Sequence, residues 1–346
     1  MDATTVAIDL AKDVFEIALA DTEHRITQRL RLGRDEFALL PQSLSPTSIV
    51  MEACATSHYW ARVFEAAGHT VKLLPAHYVR PYRKRNKTDR ADAAALVQAT
   101  RDPGILPVAV KSEYQQSILA LHRLRSAWVA TRTARINLVR GLLREFGVIL
   151  PSGAANVVPA ALVALKDSEL PLAFVEGLLP AIDEIRDLDT KVDAIDRQLS
   201  ILAKQSKDAT RLQQIPGIGV MTATALAASV GDAQQFRSGR HLASWLGLTP
   251  RESSSGHKRH LGGISKRGDV YLRKLIIHGA RSALLQAKRV ARRAPEELTR
   301  LQAWVLDLEQ RVGHNKAAVA LANKLARIAW AIWRHDRPFN GGFAAA

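Results

Sequence analysis

The sequence predicts an α/β amino-terminal domain, a mixed sheet with helices, followed by a helical coiled-coil segment and a mainly α-helical carboxy-terminal domain. Three observations carry this. Short β-favouring runs alternate with helical stretches up to about residue 110, apolar residues recur at three- and four-residue spacing through 181–204, and a Pro/Gly turn at 214–220 is flanked by helical patterns. The expected boundaries are 1–110, 111–205 and 206–346.

The run Thr4-Thr5-Val6-Ala7-Ile8-Asp9-Leu10 is apolar and β-favouring but for one charge, the pattern of a buried strand carrying a single functional acid. Residues 14–19 and 25–32 alternate well enough to complete an antiparallel meander. A helix over about 34–44 leads to Ser48-Ile49-Val50-Met51-Glu52-Ala53, a strand that ends on a second acid. A helix over 59–67, stopped by Gly68, then leads into a strand at 70–74. Thr88 is a helix cap for Asp89-Arg90-Ala91-Asp92, which puts Asp89 and Asp92 on one helix face.

This order of elements matches the RuvC/RNase H-like class of nucleases. The right-handed crossover rule sets the first strand beside the fourth, so Asp9 and Glu52 become neighbours and the last helix lays Asp89 and Asp92 over them. Four carboxylates in one place are oxygen ligands for hard divalent cations, Mg2+ or Mn2+. Two such ions, roughly 4 Å apart, stabilise the attacking and leaving oxygens of an in-line displacement at phosphorus.

A formal net charge of +16 calls for a polyanionic partner. No apolar run approaches the length of a spanning helix, and the chain opens directly into a strand rather than a signal peptide. The expected location is therefore cytoplasmic and nucleoid-associated, with no membrane partner. A single cysteine, Cys54, forms no intramolecular disulfide; it reads as a small buried packing residue beside Glu52.

Basic side chains crowd the approach to the second acid pair, among them Arg83, Lys84, Arg85 and Lys87, where they could position phosphate. A long helix over 112–146 carries Arg123, Arg125, Arg132, Arg135, Arg140 and Arg144, and could pack on one side while tracking a nucleic-acid backbone with the other. Pro151-Ser152-Gly153 breaks it, an Ala/Val/Leu-rich helix runs to about residue 176, and the helix over 181–204 presents Ile185, Leu188, Val192, Ile195, Leu199 and Leu202. That seam serves either packing on the preceding helix or oligomerisation. The turn Gln214-Ile215-Pro216-Gly217-Ile218-Gly219-Val220 resembles a helix-hairpin-helix element, in which Gly217 and Gly219 let backbone N–H groups approach a phosphate.

Residues 247–269 read as a flexible Gly/Ser/basic loop holding Ser253, Ser254 and Ser255 among Arg251, Lys258, Arg259, Lys266 and Arg267. A serine among cations can attack phosphorus while the cations stabilise developing negative charge. His257 and His260 read as phosphate contacts rather than bases. Helices over about 270–293 and 315–333 complete the last domain, with Trp330 and Trp333 in its core or an interface.

At this point the motifs Ala7-Ile8-Asp9-Leu10-Ala11-Lys12, Met51-Glu52-Ala53, Lys87-Thr88-Asp89-Arg90-Ala91-Asp92-Ala93, Ile215-Pro216-Gly217-Ile218-Gly219, Gly247-Leu248-Thr249-Pro250-Arg251, Ile264-Ser265-Lys266-Arg267-Gly268 and Arg337-Pro338-Phe339 come into one frame. The chain resembles the DEDD-type transposases of bacterial insertion sequences 110 and 1111, relatives of the Piv pilin-gene invertase. That resemblance implies a RuvC-like nuclease fused to a transposase domain, with Asp9, Glu52, Asp89 and Asp92 as metal-binding acids and Ser255, directly before Gly256, as nucleophile. Ser253 and Ser254 precede it, and a shift of one or two positions would move that role. It further implies cutting and rejoining of donor and target double-stranded DNA, a guide RNA encoded by the element, and a homo-oligomer, dimer to tetramer, whose subunits complete one another's sites. The residues alone also accommodate a junction-resolving nuclease in which water attacks, or a non-catalytic nucleic-acid-binding assembly protein.

Overall fold

The computed structural model describes residues 4–83, 88–167 and 169–340. The chain divides after Tyr114 into two compact units.

The first unit is built on a five-stranded sheet in the order β3-β2-β1-β4-β5. β1 (Thr5–Asp9), β2 (Val14–Ala20) and β3 (Ile26–Gly33) form the antiparallel meander. After α1 (Arg34–Ser43), β4 (Ser48–Glu52) returns parallel to β1 with Ile8 opposite Met51. α2 (Ser57–Ala66) leads to β5 (Thr70–Leu74), parallel to β4. A short helix, α3 (Ala76–Val79), and a 3-10 turn (Arg80–Tyr82) precede α4 (Asp89–Ala99).

Side-chain alternation sorts the two faces of the sheet. Val6, Ile8, Phe15, Ile17, Leu19, Ile49 and Met51 bury against Phe37 of α1 and Trp60 and Phe64 of α2, where Phe15 and Phe37 stack with centroids 3.9 Å apart. The other face presents Ala7, Ala18, Ala20 and Val50 to Ala93, Leu96 and Val97 of α4. Small residues there let α4 lie close on the sheet, with its first turn over the end of β1. Cys54 is exposed rather than buried, because the chain has left β4 by that point and turns into α2.

The second unit opens with two long helices, α5 (Glu113–Glu145) and α7 (Leu172–Gln205), joined through α6 (Val157–Asp167). α5 and α7 run antiparallel: Arg125 pairs with Asp196, Arg132 with Asp189, and Arg135 with Glu184. Beneath these pairs Ile136, Val139 and Leu143 pack on Leu178, Ile182 and Ile185. The apolar seam of α7 is thus buried within the chain over this stretch. The sequence pattern divides the helices near residue 176, but the structure divides them before Leu172 and carries α7 through Gly177 and Pro180. Burial of Leu178 and Ile182 outweighs the one backbone hydrogen bond that Pro180 removes.

The pair of helices is rooted in the remaining core by Ile118, Ile195 and Leu199, packed with Ala228. His122 reinforces the root with bonds of 3.0 Å to Tyr271 and to Thr224. The Thr224 hydroxyl already donates to the Val220 carbonyl, so His122 Nε2 donates to it while Nδ1 accepts from Tyr271. Burial, followed by the nearby Arg125, pushes the His122 pKa down to about 4, which keeps the ring neutral as this pattern requires.

That core comprises α8 (Lys207–Leu212), α9 (Val220–Val230), α10 (Gly239–Trp245), α11 (Val270–Arg293), α12 (Arg300–Val312) and α13 (His314–Arg334). α10 and α12 add to the helices that the sequence pattern predicts. Trp333 is buried, and Trp330 Nε1 donates to the carbonyls of Ala233 and Phe236. The Gly/Ser segment is a hairpin, β6 (Pro250–Glu252) paired antiparallel with β7 (Leu261–Ile264), rather than an open loop. The turn between α8 and α9 lies against α11: Gly217 has φ +86°, and a Cβ on Gly279 would overlap its carbonyl oxygen. Gly279→Ala should therefore destabilise the protein by about 2–3 kcal/mol. Gly141→Ala, in α5 where a Cβ meets nothing within 4 Å, should be neutral or stabilising by up to ~1 kcal/mol. Urea denaturation of the two variants checks the pair, and equal midpoints would refute the close backbone packing.

Candidate functional site

β1 delivers Asp9 at its carboxy-terminal end, on the face that α4 covers. Thr88 caps α4, its hydroxyl accepting from the N–H of Ala91, and so fixes Asp89 and Asp92 in the first turn. Oxygens of Asp9, Asp89 and Asp92 lie within 4.8 Å of one another. Glu52 ends β4 beside Asp9, since Ile8 and Met51 are partners in the ladder. It stands outside that tight group of three but near enough to act on Asp9 electrostatically.

Burial first, then the charges of Asp92, Asp89 and Glu52, pushes the Asp9 carboxyl up to about 7, while Arg83 pulls the other way. Arg83 Nε is ion-paired with Asp92, and both side chains are largely buried. A carboxylate group this crowded takes up either a proton or a cation. An all-oxygen donor set of this spacing fits a hard divalent ion, and Asp9, Asp89 and Asp92 would hold it, with Glu52 within reach of an adjoining position.

In the second unit, the Ser255 N–H donates to the Lys258 carbonyl at 3.2 Å and the Lys258 N–H returns to Ser255 at 3.1 Å. Ser255, Gly256, His257 and Lys258 therefore form the tip of the β6/β7 hairpin, with Gly256 at φ +54°. The tip is exposed throughout. Ser254 is engaged locally: its hydroxyl donates to Glu252 at 2.8 Å and accepts from the His260 N–H. The Ser255 hydroxyl has no partner among the described residues. Arg259 is tied to Glu252, while Arg251, Lys258, Lys266 and Arg267 are exposed around the hairpin.

The hairpin stem is anchored where the exposed tip is not. Gly247 and Gly268, both at positive φ, lie so close to the backbones of Arg267 and Trp245 that a side chain on either glycine would overlap them. Buried Arg273 donates to the carbonyls of Leu246 at 3.2 Å and Arg267 at 2.8 Å. The sequence pattern does not single out Arg273; an arginine on the apolar stripe of α11, four residues after the Asp269 cap, is the signal that marks it.

Other basic residues fall into distinct settings. Arg132 and Arg135, expected to track a nucleic-acid backbone, are engaged with Asp189 and Glu184 of α7, whereas Arg123 and Arg144 are exposed on α5. Gly219 is the exposed amino-terminal cap of α9, and Gly217 turns the chain against α11. Lys84, Arg85 and Lys87 lie outside the described residues. Among the described residues no helix is long and apolar enough to cross a membrane.

Comparison with known proteins gives this geometry its context. A transposase family model, the DEDD transposase domain of IS110, matches residues 6–148, and a second, the transposase IS116/IS110/IS902 family, matches residues 209–295. A probable family 20 transposase of Pseudomonas aeruginosa is 40% identical over 99% of this chain and 100% of its own length. The transposase for insertion sequence element IS1111A of Coxiella burnetii is 36% identical over 99% of this chain and 92% of its own. The pilin gene-inverting protein of Moraxella bovis is more distant, 26% identical over 98% of both. With both units matched in order along nearly the whole chain, the protein belongs to the IS110/IS1111 family of transposases, enzymes that cleave and rejoin DNA.

Proposed function

We propose that this transposase excises and inserts its own insertion sequence, cutting DNA with a divalent metal ion held by Asp9, Glu52, Asp89 and Asp92 and with Ser255 as nucleophile. The convergence of three carboxylates at the end of β1, with Asp9 raised to about 7, is the observation that carries the metal assignment. When bound, Mg2+ or Mn2+ would polarise the scissile phosphate and neutralise charge as it develops.

The chain's own residues do the rest. Asp9, whose carboxyl is raised to about 7, would give up its proton on binding a cation, and Arg83 holds Asp92 in place through their ion pair. Ser255 Oγ attacks phosphorus, losing its proton; a new O–P ester forms and the bridging deoxyribose oxygen leaves with a proton as a free hydroxyl. Arg251, Lys258, Lys266 and Arg267 around the hairpin stabilise the pentacovalent charge. Reversal, with a hydroxyl of a second DNA end displacing Ser255, restores the phosphodiester without an external energy source. Because Ser255 and the acids belong to different units, a homo-oligomer, dimer to tetramer, can complete the site between subunits. An RNA encoded by the element would select donor and target DNA, so that the charge of +16 serves two polyanions, and the enzyme would act in the cytoplasm at the nucleoid.

Trapping tests the nucleophile. Incubated with the ends of its element and Mg2+, the protein should yield a denaturant-resistant DNA adduct that Ser255→Ala abolishes, while Asp9→Asn slows its formation on the order of 10³-fold. An adduct retained by Ser255→Ala but lost by Ser253→Ala would transfer the role to Ser253. Cleavage without any adduct would favour attack by water.

The acids also set a pH dependence. Asp9 ionises at its ordinary 3.8 when unfolded and at about 7 in the fold. Between those values the unfolded chain binds fewer protons, so stability falls as pH rises through this window. Urea midpoints at pH 5 and pH 8 in chelator should show that loss in wild type and a flatter response in Asp9→Asn, with millimolar Mg2+ restoring wild type at pH 8. Equal pH responses of the two proteins would overturn the assignment of the raised carboxyl.

A further inference from the structure

A row of charge crosses the sheet beside the acids. Asp9 is paired with Glu16 across β1 and β2, and Glu16 with Arg31 across β2 and β3. Residues directly opposite in antiparallel strands share a face, so Asp9, Glu16 and Arg31 all lie on the side that α4 covers. Arg29, two residues along β3, shares that face and is opposite Ala18. Arg29 Nη1 donates to the Arg90 carbonyl in the first turn of α4 at 3.2 Å, and Arg31 Nε lies 3.5 Å from Glu16.

Between β3 and α4 these residues line a cleft of about 500 Å³, with Arg29, Arg31 and Arg90 facing Glu16, Thr88 and Asp89. Asp89 belongs both to this cleft and to the group of three acids, so the two are contiguous. Its charge is unbalanced. If Asp89 serves a metal, three guanidinium groups face one carboxylate, Glu16. Burial first, and then the neighbouring Arg90, lowers the pKa of Arg29, while Glu16 pulls the other way. The amino-terminal turn of α4 forms one wall, and its dipole favours an anion on that side. Leu30 is the one apolar lining residue, so the cleft offers no platform for a base. Guanidinium forks match phosphate oxygens, and the volume exceeds the ~30 Å³ share of one water many times over, enough for a backbone phosphate with its sugar.

We propose that Arg29, Arg31 and Arg90 form a phosphate-binding cleft that holds the DNA strand at the phosphate neighbouring the one brought to the acids. This rests on the reading of the acids as the cutting site. Contacts of this kind position a strand without reading its sequence.

The test uses the full chain, without divalent ion, and a labelled DNA duplex of arbitrary sequence. Plotted as log affinity against log salt, the Arg29→Gln/Arg31→Gln variant should show a slope shallower by about 1 to 2, given ~0.9 for each duplex phosphate contact. The loss should be the same on unrelated sequences. Arg29→Lys/Arg31→Lys keeps the charge and should keep most of the slope, which separates a phosphate contact from damage to the fold. With element ends and Mg2+, the Gln variant should need more DNA for half-maximal adduct yield. An unchanged slope, identical behaviour of the Lys and Gln variants, or a change seen with an RNA hairpin but not with DNA would overturn the proposal. Binding is read without cleavage, so failure of the serine and metal chemistry would show in the adduct assay while leaving the slope to be judged separately.

Discussion

Mutual repulsion among carboxylates gathered at the end of β1 is the constraint on which the first unit depends. Asp9, Asp89 and Asp92 could not stay within 4.8 Å unless something forced them together. Several features supply that force. Parallel pairing of β1 with β4 brings Glu52 alongside, alanines on one sheet face let α4 approach, and the Thr88 cap holds the first turn of α4 over the strand end. Arg83 offsets part of the repulsion through Asp92. The large aromatic core on the opposite face, with Phe15 and Phe37 stacked, stabilises the sheet on which this unfavourable arrangement is built.

The second unit divides its labour between anchorage and exposure. Gly247, Gly268 and Arg273 fix the stem of the β6/β7 hairpin to the end of α10 with backbone contacts that no side chain would permit. The tip carries Ser255 out into solvent, where its hydroxyl is unengaged among the described residues, unlike that of its neighbour Ser254. A serine placed this way is held in position by its stem and remains accessible to a large partner.

Much of this was legible in the sequence. The antiparallel meander, the return of β4 beside β1 and the convergence of Asp9, Asp89 and Asp92 follow from alternation, Thr88 as a cap and the handedness of crossovers. What was not legible depends on contacts distant in sequence. Arg132 and Arg135 look like phosphate contacts until Asp189 and Glu184 are seen opposite them. The break before α7 was misplaced because Gly177 and Pro180 are local stop signals, whereas the burial of Leu178 and Ile182 is tertiary. The Gly/Ser segment reads as a linker because a short exposed hairpin has no hydrophobic alternation to reveal it. Arg31 and Glu16 gain their meaning from register alone.

The ladder of ion pairs between α5 and α7 also limits how the chain can change length. Arg125, Arg132 and Arg135 of α5 meet Asp196, Asp189 and Glu184 of α7 in turn, so partners rise in one helix as they fall in the other. Removing residues from one helix alone would bring arginines opposite leucines and would bury charge against the apolar seam. Loss of matching whole turns from both helices would keep the three pairs in register. Relatives that differ in the length of this helix pair should therefore differ by paired insertions, one in each helix, rather than by single ones.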